Sequence, residues 1–139
     1  MSLANTYPSG SNMHLAIAPW IVTTVAVLTS CLAYVFDWNK THVYNPKWPP
    51  HAKFHNAQTL LLGSLLGVVS LFFLWGRHDL SSAIATCSLY WIAQLGSLGF
   101  PGTALVDPEF LHRYAKRRPM QPLLASLFLL LLAMAWFVA

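Results

Sequence analysis

Four long apolar runs that contain no charged residue constrain this chain more than any other feature. They cover residues 15–36, 57–75, 80–100 and 123–139. A helix that crosses the hydrocarbon core of a bilayer needs about 20 residues, and about 17 to 25 are tolerated. The last run reaches that length if its helix begins near residue 121. The sequence therefore predicts an all-α integral membrane four-helix bundle with spans at about 15–36, 57–75, 80–100 and 121–139.

The low content of charged residues supports the bilayer as the solvent of this chain. Charged residues make up 9% of the 139 residues, against about 25% in an average soluble domain. So few charges would not cover the surface of a soluble protein of this size. We therefore treat residues 1–139 as one multi-pass membrane domain.

The basic residues predict how the domain is oriented. Four spans place both termini and the second loop on one face, and the first and third loops on the other. Seven of the eight Lys and Arg residues fall in the first and third loops: Lys40, Lys47, Lys53, Arg113, Lys116, Arg117 and Arg118. The positive-inside rule then predicts that these two loops face the cytosol. If the source is eukaryotic, we expect the protein to lie in the membrane of the endoplasmic reticulum. The net charge of +4 fits topology and anionic membrane lipids as partners, not nucleic acid.

Prolines define the two basic loops. Pro46 and Pro49 exclude a helix in the middle of loop 1, whereas Pro50 suits the first position of the second helix. In loop 3, Asp107-Pro108-Glu109 has the pattern of a helix start, with Asp107 as N-cap and an acid in the first turn. We expect a short amphipathic helix there, over residues 109–117.

Polar residues recur on one face of each of the first three helices. The stripes are Thr23, Ser30, Tyr34 and Asp37; His51, His55, Gln58 and Thr59; and Thr86, Tyr90, Gln94 and Ser97. Residues three, four and seven apart lie on one helical face. One interpretation is a polar cavity that opens toward loops 1 and 3. The alternative is interhelical hydrogen bonding, at about 0.6 to 2 kcal/mol per bond.

Acids and histidines cluster at the predicted mouth of that cavity. A carboxyl group near hydrocarbon has its pKa raised by desolvation, and histidine titrates near neutrality, so both suit general acid/base chemistry. The predicted catalytic or water-positioning residues are Asp37, His51, His55 and Glu109. The predicted substrate-binding residues are Tyr34, Asn56, Tyr90, Trp91 and Gln94, with the Trp91 ring able to shield a developing cation.

Metal binding is the second chemistry that these residues suggest, although no cofactor is predicted. His51 and His55 have i, i+4 spacing, and Glu109 and His112 have E-x-x-H spacing, so each pair shares a helical face. If a metal ion is bound, the predicted ligands are these four residues, a donor set that suits zinc or iron. A complete H-E-x-x-H motif is absent from the sequence.

Gly63 and Gly67 form a G-x-x-x-G motif in the second apolar run. Small residues at this spacing allow two membrane helices to approach closely. The motif predicts close packing either within the bundle or in a homodimer.

Two segments carry a family resemblance. Pro49-Pro50-His51-Ala52-Lys53-Phe54-His55-Asn56 and Phe100-Pro101-Gly102-Thr103 resemble segments of small four-span membrane proteins, many of them fungal. In overall plan the chain is similar to the emopamil-binding, sterol-isomerase-like group and to DoxX-like proteins. The first group implies acid/base chemistry on lipophilic rings, although its acidic and tryptophan motifs are not matched here. Small membrane hydrolases and cyclases of polyketide or terpenoid pathways are of similar size and imply epoxide opening or alkene protonation.

Two functional hypotheses follow from the sequence. The first is a membrane enzyme that isomerises, cyclises or hydrolyses a lipophilic small molecule by proton transfer. The second is a non-enzymatic lipid-binding or assembly subunit of a membrane complex, in which the polar stripes only join helices. A metal-dependent enzyme and an oligomeric pore are further alternatives.

Overall fold

Four long helices make up most of the chain. The computed structural model describes residues 16–114 and 120–139. Its α-helices are α1 (Ile17–Asp37), α2 (Pro50–Leu71), α3 (Leu80–Gly96), α4 (Leu111–Tyr114) and α5 (Met120–Phe137). A π-helical turn continues α2, and two 3-10 turns follow α3 and precede α4: Phe72–Gly76, Ser97–Gly99 and Pro108–Phe110. The described residues contain no strand, which confirms the all-α prediction for them.

Three of these helical segments are long and apolar enough to cross a bilayer. Among the described residues they are Ile17–Asp37, Pro50–Gly76 and Met120–Phe137. The predicted fourth span corresponds to α3, which has 17 residues. The structure therefore supports a helical membrane protein with three helices of spanning length, where the sequence predicted four.

The second helix begins well before its apolar run. Pro50 occupies its first turn, as predicted, because a proline there lacks only an N–H that would have had no helical partner. Helix α2 consequently carries His51, His55 and Asn56 on its first two turns. Residues 38–49 form an irregular loop, in agreement with its prolines.

A tight connection joins α2 to α3. His78 adopts a positive φ of 52°, and Asp79 caps α3 by accepting bonds from the Ser82 amide at 3.0 Å and the Ser82 hydroxyl at 2.6 Å. The bond from the Ser82 hydroxyl, and then the bond from the Ser82 amide, hold the pKa of Asp79 below its usual value, because they stabilise the ionised carboxylate.

Helix α1 is the centre of the bundle. It packs against α2, α3 and α5, and α3 also packs against α2 and α5. The interior contains Val22, Val25, Trp91, Phe128 and Leu132, with the Trp91 and Phe128 ring centroids 4.6 Å apart. Large apolar side chains also cover the outer faces of α2 and α5. An apolar exterior around a packed interior suits hydrocarbon as the surrounding solvent.

The predicted amphipathic helix of loop 3 is only partly present. A 3-10 turn at Pro108–Phe110 leads into α4, Leu111–Tyr114, so the helical segment begins where the sequence predicted. Residues 115–119, which complete the predicted segment, lie outside the described residues. Asp107 stands at the N-cap position but its side chain makes no capping bond, which corrects the predicted role of that carboxylate.

Candidate functional site

Loops 1 and 3 are joined by a small polar clasp at one end of the bundle. We define the clasp as Asn45, Lys47, Trp48, Asp107 and Glu109. The Asn45 side-chain amide, which is fully buried, donates to Glu109 Oε1 at 3.0 Å, and Lys47 forms an ion pair with the same carboxylate. The Trp48 indole N–H donates to Asp107 Oδ2 at 3.2 Å. The clasp therefore joins the loop that follows α1 to the loop that follows α3.

The clasp changes the acidity of Glu109. The bond from Lys47, and then the bond from Asn45, holds the pKa of Glu109 below its ordinary value. The sequence pattern had predicted the opposite direction, from desolvation. Glu109 is therefore engaged in the clasp, and its predicted catalytic or water-positioning role stays a prediction.

Asp37, the last residue of α1, is held between α2 and loop 1. Its Oδ2 atom accepts a bond from the Asn56 amide at 3.1 Å, and its Oδ1 atom lies 3.8 Å from His42 Nδ1. The predicted residues Asp37 and Asn56 are thus brought together. The partner that completes the group is His42, a loop 1 histidine that the sequence pattern did not single out.

The hydrogen bonds around His42 favour one tautomer of its ring. The Thr41 hydroxyl donates to Asn39 Oδ1 at 2.6 Å, so its oxygen is left to accept from His42 Nδ1, which lies 2.8 Å away. This arrangement favours the tautomer with the ring proton on Nδ1, in which Nε2 keeps its lone pair. Asp37 is close enough to stabilise the positive charge that His42 acquires when Nε2 takes up a proton.

His42 lines a cavity of about 200 Å³ between loop 1, the end of α3, loop 3 and the start of α5. The other lining residues are Gln94, Ser97, Leu98, Thr103, Ala104, Leu105, Gln121 and Pro122. Both polar and apolar side chains line this cavity, so it suits a molecule with both kinds of surface. Of the predicted substrate-binding residues, only Gln94 lines it.

Gln94 presents an unused hydrogen-bond acceptor. Its Oε1 atom is buried and has no hydrogen-bond partner among the described residues. A buried polar atom without a partner destabilises a protein by about 1 to 3 kcal/mol. An acceptor held in this state beside a cavity is a ready partner for a ligand that carries a hydroxyl or N–H group.

The polar stripe of α1 makes contacts within the bundle instead of lining the cavity. The Ser64 hydroxyl lies 3.1 Å from the Ser30 carbonyl and 3.4 Å from the Tyr34 hydroxyl, which joins α1 to α2. The Trp91 indole donates to the buried Thr29 hydroxyl at 2.9 Å, which joins α3 to α1. Tyr34 and Trp91, predicted to bind substrate, are therefore helix–helix contacts.

Gly63 and Gly67 are buried in the same packed region. A Cβ at Gly63 would lie 3.0 Å from the Tyr90 ring and 3.1 Å from the Thr29 carbonyl, and one at Gly67 would collide with Ala26 and Ser30. The motif thus serves packing within the chain, one of the two predicted alternatives, and the homodimer stays a prediction. Tyr90 acts as a packing residue over Gly63.

The polar face of α2 points away from the interior. His51 and His55 are exposed, as are Gln58 and Thr59. His51 Nε2 and His55 Nε2 lie 3.1 Å apart, so the two imidazoles meet each other but do not line the cavity described above. Asp37, His51, His55 and Glu109 are consequently distributed over three separate places, and the predicted common catalytic cluster is not assembled.

The alternative set of four metal ligands is also not assembled. Within residues 16–114 and 120–139, no three His, Cys, Asp or Glu side chains are grouped so that they could hold one metal ion. Glu109 is engaged in the clasp, and His112 is exposed on α4. Of the four predicted ligands, the structure brings together only His51 and His55, which share a helix.

His42, Ser97, Thr103 and Gln121 are the cavity residues that sequence reasoning missed as candidates. Ser97 belonged to the predicted polar stripe of the third helix but was not named as a site residue, and the other three belong to turns or a helix start, where no periodic pattern marks a shared face. The signal for His42 was the Asn39-Lys40-Thr41 segment before it, because Asn and Thr favour turns with side-chain to backbone bonds.

One comparison with known proteins gives a match. The family model described as "Family of unknown function (DUF6640)" matches residues 21–134. No curated protein and no solved structure matches the chain. The resemblance to sterol-isomerase-like and DoxX-like proteins therefore stays a prediction.

Proposed function

Because the chain belongs to DUF6640, a family of unknown function, we propose a function from its own geometry. The protein is a membrane enzyme that binds the polar end of a lipophilic small molecule beside His42 and exchanges a proton with it. The reaction class is isomerisation, cyclisation or hydrolysis. The observation that carries this proposal is the joint presence of His42 and an unpartnered buried Gln94 oxygen on one cavity.

The size of the cavity indicates how the substrate binds. Pockets that enclose a whole drug-sized molecule measure about 300 to 1,000 Å³, and this one measures about 200 Å³. It therefore suits the functional group of a larger molecule whose apolar part lies in the bilayer. Leu98, Leu105 and Pro122 supply apolar wall, and Ser97 and Thr103 supply hydroxyl groups.

The proposed chemistry assigns different tasks to three residues. His42 Nε2 removes a proton from the substrate or passes one to it, a contribution of about 10² to 10⁴ in rate. Asp37 holds the charged imidazole in place, and Gln94 Oε1 orients the substrate by accepting a hydrogen bond. Asn56 in turn fixes Asp37 through its amide bond.

We also infer the membrane topology from helix length and charge. The 17 residues of α3 rise about 26 Å at 1.5 Å per residue, and the 3-10 turn at Ser97–Gly99 adds about 6 Å at 2.0 Å per residue. The sum suits a hydrocarbon core of about 30 Å, so α3 is proposed as a fourth span. The clasp and cavity then face the cytosol, because the basic residues lie in loops 1 and 3.

A second candidate function is supported by the bonds that join the helices. The Ser30–Ser64 and Thr29–Trp91 contacts use polar residues of the bundle for packing. This is what a non-enzymatic lipid-binding or assembly subunit would show. In that case the cavity holds a lipid headgroup and His42 transfers no proton.

Deuterium incorporation tests isomerisation and cyclisation, the two proposed reaction classes that can place a solvent proton on carbon. Membranes that contain the wild-type protein, His42→Gln or the control His78→Asn are incubated in D₂O, and their lipophilic molecules are extracted for mass spectrometry. Proton transfer to carbon should give a species one mass unit heavier with the wild type and with His78→Asn, and not with His42→Gln. Equal incorporation in all three samples contradicts isomerisation and cyclisation by His42.

A ligand retained through purification separates the candidates further. Native mass spectrometry should detect a small lipophilic molecule on the wild type and on His42→Gln, and its loss from Gln94→Leu. A retained molecule that is never deuterated supports the lipid-binding subunit instead.

A further inference from the structure

The exposed start of α2 carries a pair of histidines that the proposed function does not use. His51 and His55 are one turn apart, and their Nε2 atoms are 3.1 Å from each other. The ring centroids lie 4.5 Å apart at an angle of 77°. Neither side chain lines the cavity around His42.

We propose that His51 and His55 form a binding site for a divalent transition-metal ion at the membrane surface. Two ligands at metal–nitrogen distances of about 2.0 to 2.1 Å are separated by about 2.9 Å at a right angle and about 3.3 Å at a tetrahedral angle. The observed 3.1 Å lies between these values. The two rings are thus already positioned to hold one ion without a change of backbone.

Gln58 orients the ring of His55, one of the two proposed ligands. Its Oε1 atom lies 3.3 Å from His55 Nδ1, so Nδ1 carries the ring proton and Nε2 keeps its lone pair. A metal-binding histidine commonly donates its other ring N–H to an oxygen in this way, which fixes its orientation. Without a metal, His51 Nε2–H donates to His55 Nε2, and an ion takes the place of that proton after His51 changes tautomer.

Exposure determines the rest of the coordination shell. His51 and His55 are exposed, and no third His, Cys, Asp or Glu among the described residues completes the group. Water fills the remaining positions, so the site differs from closed structural zinc sites, which have four protein ligands. Imidazole nitrogen suits zinc, copper and nickel, and Cu²⁺ binds most strongly in this series.

Cu²⁺ is therefore the probe of choice for the test. Full-length protein without a polyhistidine tag is purified in detergent, treated with chelator and titrated with Cu²⁺. Electron paramagnetic resonance should show one Cu²⁺ per chain with hyperfine coupling to two imidazole nitrogens. His51→Ala and His55→Ala should each remove the two-nitrogen signal, and Gln58→Ala should weaken binding by at least about 10-fold.

The exposed His78→Asn variant is the matched control, and it should bind like the wild type. Ion binding should also raise the melting temperature of the wild type and not of His51→Ala, because the ion ties together the first turns of α2. The proposal is overturned if the wild type shows no two-nitrogen signal. It is equally overturned if His51→Ala or His55→Ala keeps that signal, since the ion would then be bound elsewhere.

Discussion

The interior of the bundle and its loop end use polar residues in opposite ways. In the interior, the Thr29 hydroxyl accepts from Trp91, and the hydroxyl of Ser64 contacts the carbonyl of Ser30 on the neighbouring helix. In the cavity at the loop end, Gln94 keeps an unpartnered oxygen beside the His42 ring. Groups that are satisfied by a neighbour hold the fold together, whereas groups left unsatisfied are available to a ligand.

The difference follows from where helices can close on each other. Between two spanning helices, glycine and serine allow backbones to approach closely enough for the Ser64 hydroxyl to reach the carbonyl of Ser30. Where the chain leaves the helices, loop backbone keeps side chains apart and a cavity remains. Stability and function are therefore expected to respond to different substitutions.

The largest effect should come from a methyl group added to the interior. Gly67→Ala places a Cβ against Ala26 and Ser30, and such overpacking reduces the free energy of unfolding by about 1 to 3 kcal/mol. Gly96→Ala is the control, because a Cβ there meets nothing within 4 Å and alanine favours the helix. Unfolding in detergent micelles measures the stability of both variants. Equal stabilities would contradict the packing role of Gly67.

A smaller loss of stability should follow from removing one interior hydroxyl. Thr29→Val keeps the side-chain shape but leaves the Trp91 indole N–H without its acceptor. Hydrogen bonds between membrane helices contribute about 0.6 kcal/mol on average and up to about 1.7 kcal/mol. The expected loss lies in this range and is measured in the same unfolding assay. A more stable variant would show that the interior hydroxyl serves a purpose other than packing.

The loop end should show the reverse behaviour. Gln94→Leu removes a buried oxygen that has no partner in the described residues, so the free energy of unfolding should stay equal or rise by up to about 1 kcal/mol. Turnover and ligand retention should be lost. Loss of stability together with full retention of ligand would place Gln94 with the packing residues.

The smallest effect concerns the pH dependence of the clasp. Because the pKa of Glu109 is lowered in the folded protein, its contribution to stability is present above the ordinary glutamate pKa and is lost as pH falls through the lowered value. Glu109→Gln should therefore remove part of the decline in melting temperature on acidification. Melting curves recorded at a series of pH values measure this difference, and identical acid profiles of the two proteins would contradict the assignment.

The sequence predicted helices better than sites. Uncharged runs located the four long helices, and Pro50 marked the start of α2, because hydropathy and proline geometry act locally. The spacing of His51 and His55 correctly placed them together, since both lie on one helix. The link between His42 and Asp37 depends on the path of loop 1, which no periodic pattern encodes. The packing role of Tyr34 and Trp91 depends on which neighbouring hydroxyl each side chain meets.

The π-helical turn at Phe72–Gly76 has a consequence for the far end of the bundle. Its wide spacing, seen in the 3.1 Å bond from the Arg77 amide to the Phe72 carbonyl, accommodates one residue more than an α-turn. Each residue of an α-helix turns the chain by about 100°, so the extra residue changes the direction of every side chain beyond it. Trp75 is thereby aimed at Thr23 of α1, with a 2.9 Å bond between indole and hydroxyl. The extra residue rotates the last turn of the segment so that Trp75 faces α1. A uniform α-helix would turn a different side chain toward α1.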